Sequence, residues 1–186
     1  RWMAISAGML CVVVAIYFGA RFFLFSPALR LAAYDQIEVI GNHYVSRAAV
    51  IERFASDLGQ SILRVPLDTR REALESIPWV AQVAVQRAMP NHLRVDITER
   101  TPVAFLRTTA GLALVDAQGV ILERPLEAQF HFPVVTGLSE AMPLAQRGQR
   151  MLMFLDFLRD ADLARSGASD GVSEVDLADA ADLRAT

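Results

Sequence analysis

The sequence predicts an α+β protein: a single N-terminal transmembrane helix, a small domain ordered strand, helix, helix, strand, strand, and then a second, β-rich unit with one helix. Three observations carry this. Residues 2–20 contain no charged side chain. Beyond Tyr34, apolar residues recur at every second position in some segments and at every third or fourth in others, the periods of strand and helix. Turn-forming residues punctuate these segments, as at Gly41-Asn42, Pro90-Asn91 and Asp116-Ala117-Gln118-Gly119.

The uncharged run is close to the roughly 20 residues needed to cross a hydrocarbon core. A cleaved signal has an apolar region of only about 7–15 residues. Tyr17, Phe18, Phe22 and Phe23 follow where aromatic rings commonly meet the interface. An uncleaved anchor is therefore expected over residues 1–33, counting the juxtamembrane segment. Arg1 lies on one side and Arg21 and Arg30 on the other, so charge alone does not orient it. The chain does not begin with Met, and a basic N-terminal tail that would fix topology is expected to precede it.

With 186 residues and 53% apolar content, the excess of hydrophobicity sits in that first run, and the remainder has an ordinary globular mixture. The formal charge of −3 argues against nucleic-acid binding, which wants a basic face. All 18 basic residues are Arg, scattered singly except for Arg70-Arg71, so no polybasic lipid or phosphate patch forms. The lone Cys11 lies in the apolar run and excludes an intrachain disulfide and a cysteine zinc site.

In the first soluble domain, residues 36–40 alternate as a half-buried strand ending at Gly41-Asn42. Ser46 is placed to cap a helix in which Val50, Phe54 and Leu58 share a face, with Gly59 as its stop. Asp68 is placed to cap a second, short helix carrying Leu74 and Ile77 and ended by Pro78. Two strands follow. Ala81, Val83 and Val85 oppose Gln82, Ala84 and Gln86 on the first, and Leu93, Val95 and Ile97 form the apolar side of the second. Residues 89–92 connect them, with Pro90 expected at the second position of the turn.

The runs Val39-Ile40-Gly41-Asn42-His43-Tyr44-Val45-Ser46 and Ile77-Pro78-Trp79-Val80-Ala81-Gln82-Val83, continuing through Arg87-Ala88-Met89-Pro90-Asn91-His92-Leu93-Arg94-Val95, resemble the polypeptide-transport-associated (POTRA) domain. Glu99-Arg100-Thr101-Pro102-Val103-Ala104 resembles its junction with the following β domain in the FtsQ/DivIB family of cell-division proteins. The resemblance implies an anchor and juxtamembrane segment at 1–33, a POTRA domain (β-α-α-β-β) at 34–101 and a β domain at 102–186.

It further implies a non-catalytic divisome scaffold without cofactor or small-molecule substrate. Such a protein crosses the bacterial inner membrane once, keeps its soluble part in the periplasm and gathers partners at the septum. FtsB and FtsL are the implied partners, with FtsK and the septal peptidoglycan synthesis proteins as further ones. The alternative is a POTRA-containing component of outer-membrane protein assembly or secretion. That class carries a cleaved signal, repeated domains and a β-barrel, which these residues do not spell.

In the second unit, residues 103–106 and 112–115 read as strands, residues 116–119 as a type I turn into 120–122, and residues 132–137 as another strand. A helix over 144–158 carries Met151, Leu155 and Leu158 at helical spacing, with Gly148 weakening its first half by roughly 1 kcal/mol. Val175 and Leu177 alternate with Glu174 and Asp176 in a last short strand. The family pattern would begin a further strand near Leu183, so the β domain is expected to be C-terminally truncated here and to bind FtsB and FtsL poorly.

Catalytic and metal motifs are weak. Gly167-Ala168-Ser169-Asp170-Gly171 matches G-x-S-x-G literally but lacks the strand before it and the helix after it, and reads as a loop. His43, His92 and His131 share no metal-motif spacing. The Asp residues at 156, 160, 162, 170, 176, 179 and 182 lack calcium-loop order and read as a solvated face. Met151, Met153, Phe154 and Phe157 read as core. The candidate site is a strand edge at Gln82, Ala84 and Gln86, since an open sheet offers unpaired backbone groups to a partner strand.

Overall fold

A computed structural model describes residues 2–109, 111–125, 128–178 and 184–185. The chain divides into two compact units, Arg1–Glu99 and Arg100–Thr186. The first begins with helix α1, Trp2–Phe25. Its side chains are described at residues 8–19 and at Arg21 and Phe22. Among the described residues no helix is long and apolar enough to cross a membrane. Within the uncharged run at residues 2–20, the side chains of residues 2–7 and 20 lie outside those described.

Apolar burial ties the segment after α1 into the first unit. Ser26 caps a 3-10 turn at Pro27–Leu29. Leu29 and Leu31 are buried. The Leu31 amide donates to the Gln60 carbonyl at 2.9 Å, the Gly59 amide donates to the Leu31 carbonyl at 2.8 Å, and Arg30 bridges Ser61 antiparallel.

Strand β1, Ile37–Ile40, leads through a loop into α2, Arg47–Glu52. Ser46 caps α2 as its sequence predicts, its hydroxyl accepting from the Ala49 amide at 3.2 Å. The helix stops at Glu52, short of the Gly59 stop the spacing predicts, and a 3-10 turn at Ala55–Asp57 follows. Two commitments end it early. Asp57 is buried and accepts from Arg70 Nε at 2.6 Å and Nη2 at 3.0 Å, while the backbone at Gly59 and Gln60 is used by Leu31. An α-helix running through these residues would surrender both.

Helix α3, Leu67–Glu75, starts from Pro66, so Asp68 lies in the first turn instead of at the cap. Its charge still favours the helix N-terminus. Strands β2, Val80–Ala88, and β3, His92–Glu99, form the hairpin. Residues 89–91 connect them, Ala88 pairing with His92, and the Met89-Pro90 bond is cis. The sheet order is β1-β3-β2, with β1 parallel and β2 antiparallel to the central strand.

Side-chain period places Val83 opposite Ile97 and Val85 opposite Val95 on the helix-covered face, with Val83, Val95 and Ile97 buried. A bulge between Val80 and Gln82 interrupts the predicted alternation, sending Val80 into the core and leaving Ala81 half-buried.

At the far end of β3, the Glu99 carboxylate accepts from three successive amides, His43 at 2.8 Å, Tyr44 at 2.9 Å and Val45 at 2.7 Å. Gly41 opens this loop at φ +82°, and a Cβ there would strike the Ile97 carbonyl oxygen. Tyr44 packs on Trp79 with ring centroids 4.5 Å apart.

The second unit is a six-stranded sheet ordered β6-β5-β4-β7-β8-β9. Its strands are β4, Pro102–Thr108; β5, Gly111–Asp116; β6, Ile121–Leu122; β7, Val134–Thr136; β8, Glu174–Asp176; and β9, Arg184–Ala185. Strand β7 runs parallel to β4 and β8 parallel to β7. Helix α4, Leu144–Ala164, makes the crossover between β7 and β8. It runs past the predicted end at 158 because no breaker occurs before Ser166-Gly167. Met151 and Phe154 pack onto Ala104, Leu106, Val115, Val135 and Val175 as core, with Phe157 partly buried against them, while Met153 is only half-buried.

The Asp116 turn is held by its own side chain: Oδ1 accepts from the amides of Gln118 at 3.0 Å and Val120 at 2.7 Å, and Oδ2 accepts from Arg100 Nη1 at 2.8 Å. Gly119, at φ +79°, lies against α4 so closely that a Cβ would come within 2.7 Å of Arg147. Gly148 meets the same turn, with the Gln118 carbonyl oxygen 3.0 Å from where its Cβ would stand. The helix accepts its internal glycine in exchange for this close approach.

Three substitutions test the first unit. Val83→Asp, which buries an uncompensated carboxylate, is expected to cost about 3–5 kcal/mol in urea unfolding, and the exposed Gln86→Asp about 1 kcal/mol or less; the reverse ranking would put the strand faces out by one residue. Glu99→Gln is expected to cost roughly 2 kcal/mol, given about 1.5–3 kcal/mol for a hydrogen bond to a charged group. It should also speed hydrogen exchange at His43, Tyr44 and Val45 before any other amides of the unit.

Candidate functional site

A strand presents backbone groups outward only where no neighbour pairs with it. In the first unit β3 is flanked on both sides, which leaves β1 and β2 as the two edges. Strand β1 is four residues long, whereas β2 has nine and is the longer template.

The predicted residues Gln82, Ala84 and Gln86 are all exposed on β2. Their cross-strand neighbours on β3 are Thr98, Asp96 and Arg94 respectively. Arg94 Nε lies 3.1 Å from Asp96 Oδ1, an ion pair along one strand. Beside Gln82 and Ala84 an open groove of about 400 Å³ runs between Arg71 and Glu75 of α3 and Asp96 and Thr98 of β3. The face is polar and of both charges. An added strand would find backbone groups for pairing along β2 and alternating side-chain contacts on this face.

The remaining candidates do not assemble into a site. Ser169 begins a 3-10 turn after α4, not a bend between strand and helix. Its hydroxyl donates to Asp162 Oδ2 at 2.7 Å and its amide to Oδ1 at 2.8 Å. These two bonds, the amide's the stronger, hold the Asp162 carboxyl below its ordinary value. An acceptor so engaged is a loop cap and leaves the serine without a histidine base.

His43 packs edge-on against Tyr44, with ring centroids 4.7 Å apart. Among the described residues no three His, Cys, Asp or Glu side chains are grouped to hold a metal ion. Of the acidic C-terminal residues, Asp156 pairs with Arg159 at 2.6 Å and Asp176 Oδ1 accepts from the Ala178 amide at 2.9 Å. Asp179 and Asp182 lie outside the described residues, as does the side chain of Asp170.

Sequence reasoning missed three residues that hold the surrounding chain. Arg87, on the same strand, donates to the carbonyls of Ile62 at 2.8 Å and Val65 at 2.7 Å and so fixes the lower part of β2 to the segment before α3. Glu99 and Arg100 are neighbours in the chain, one closing the 43–45 loop and the other the Asp116 turn. Their signal was an oppositely charged pair at the junction between units, visible as Glu99-Arg100 but not readable as contacts.

Residues 33–100 match the family profile described as POTRA domain, FtsQ-type. The cell division protein FtsQ of Koribacter versatilis is 36% identical over 187 residues, an alignment covering 100% of this chain and 50% of that protein. Those of Bordetella pertussis, 37% identical over 106 residues, and Corynebacterium glutamicum, 31% identical over 117, align with 55% and 63% of this chain and with 38% and 50% of their own lengths. The chain thus spans half or less of these relatives. A β1-β3-β2 sheet backed by two helices, a profile match over that same unit and an alignment to a cell division protein along the whole chain agree: the chain belongs to the FtsQ family of cell-division proteins.

Proposed function

We propose that this chain acts as a divisome scaffold, anchored by residues 1–33 in the bacterial inner membrane and holding partners on its periplasmic side at the septum. In this reading residues 34–101 recruit by strand addition at β2, through Gln82, Ala84 and Gln86, and residues 102–186 belong to the β domain that engages FtsB and FtsL. FtsK and septal peptidoglycan synthesis proteins are further candidates for the recruiting edge. No catalytic step enters it.

The observation that carries the recruiting role is the nine-residue edge strand β2, with Gln82, Ala84 and Gln86 exposed, beside an open groove. Backbone pairing along such an edge gives affinity, and side chains at alternate positions give specificity. The anchor reading is supported by the uncharged run at residues 2–20, followed by Arg21 and an aromatic cluster.

Two experiments test the parts separately. A photo-crosslinking residue at Ala84 is expected to capture FtsK or a septal synthesis protein in dividing cells, while the same residue at Glu72, exposed on α3, captures none. Equal capture at both positions, or none at Ala84, removes β2 as the recruiting edge. A reporter fused after Ala33 is expected to be active when it requires the periplasm and silent when it requires the cytoplasm; the opposite pattern reverses the topology.

A further inference from the structure

The foot of α1 and one end of the first unit are joined by very little chain. Helix α1 ends at Phe25, and Leu29 is already buried in the unit. The 3-10 turn at Pro27–Leu29 rises only about 2 Å per residue, and extended residues add at most about 3.6 Å each, so Arg30 lies within roughly 15 Å of Phe25. Arg30 is bridged to Ser61, and Leu31 is hydrogen-bonded on both sides to Gly59 and Gln60. Residues 30 and 31 are thus fixed to the unit, and only Ser26 to Leu29 stand between them and α1.

The same end carries the tip of the hairpin. Arg87, one residue before the end of β2, donates to the carbonyl of Ile62, next to the bridged Ser61. Strand β1 starts there too, with Ile37 in register with Leu93. The opposite end of the unit, where Glu99 holds the amides of residues 43–45, lies six residues further along β3, about 20 Å away. The near end exposes Tyr34 and Met89, at 42% and 56%, together with Arg30.

We infer that this end of the first unit, formed by the exposed Gly59 and Gln60, the Met89-Pro90 turn and Tyr34, is a membrane-contact surface that rests on the phospholipid headgroups of the bilayer crossed by α1. The inference rests on the anchor reading proposed above. The headgroup layer adds roughly 5–7 Å to each side of the hydrocarbon core, so with α1 ending at the core boundary a link of at most about 15 Å keeps the bridged segment within roughly 10 Å of the outer headgroup surface. A tyrosine ring, a thioether and an arginine are side chains that an interface accepts, each with an apolar body and, for Tyr and Arg, a polar tip. The sheet is thereby held at a set height, with the Glu99 end outermost.

The test uses the full chain carrying Cys11→Ala, reconstituted in vesicles of phosphatidylethanolamine and phosphatidylglycerol doped with a headgroup-nitroxide lipid. A bimane label is placed at Met89→Cys, at Gln60→Cys or at His43→Cys. Quenching at Met89 and Gln60 is expected to exceed that at His43 by roughly threefold or more, because about 20 Å of strand separates the two ends. A flexible Gly-Ser segment inserted between Ser26 and Pro27 should bring Met89 and Gln60 down towards the His43 value while the protein still floats with the vesicles. Failure to float refutes the anchor, and the inference with it. Flotation with equal quenching at both ends, or with no response to the insertion, overturns the inference and leaves the anchor standing.

Discussion

The first unit depends on one carboxylate. Glu99 ends the central strand and takes three consecutive backbone amides from the loop that follows β1. A strand of four residues supplies little burial, and its partner lies far along the chain. Without an acceptor at this place, three N–H groups of a tightly turned loop would compete for water, and the loop would have no reason to close over the end of the sheet. With it, Val45 enters the core, Tyr44 reaches Trp79, and Ser46 arrives where it caps α2.

Arginine performs a related task elsewhere, in the opposite sense. Arg87 donates to three carbonyls before α3, Arg150 to the carbonyls of Gly137 and Leu177, and Arg70 to the buried Asp57. Each satisfies backbone or side-chain acceptors in places where the chain turns and no regular ladder is available. A planar guanidinium with several fixed donors suits such multi-acceptor corners better than a lysine ammonium would. The exclusive use of Arg over Lys in this chain, with 18 against none, fits a fold with many irregular joins.

Elements with strong local signals were legible in the sequence. The hairpin strands and β1 followed from alternation, α2 began at its Ser46 cap, and the Asp116 turn had its Asp and Gly in place. What local pattern did not carry was every boundary decided by a distant partner. Helix α2 ends early because Asp57 and Gly59 answer to Arg70 and Leu31, and Val80 displaces Ala81 from the core through a bulge that no alternation announces. Gly148 read as a weakness and turned out to be the space into which Gln118 fits. The exposed edge at Gln82, Ala84 and Gln86 lies between these cases: the polar side of β2 was visible, but its status as an edge depends on the sheet order.

The parallel pairing of β1 with β3 carries a consequence for the order in which the domain assembles. Ile37 meets Leu93, whereas β2 and β3 are joined by a turn of a few residues. A hairpin closes on the microsecond scale, while the longer loop carries a greater entropic cost before any contact repays it. During synthesis β1 leaves the ribosome first and must wait, unpaired, until the hairpin has formed to receive it. Its four residues, two of them aliphatic on the solvent side or half-buried, are too few to template a neighbouring chain in the meantime. Brevity in the first strand is thus a safeguard for a chain whose pairing partner arrives last.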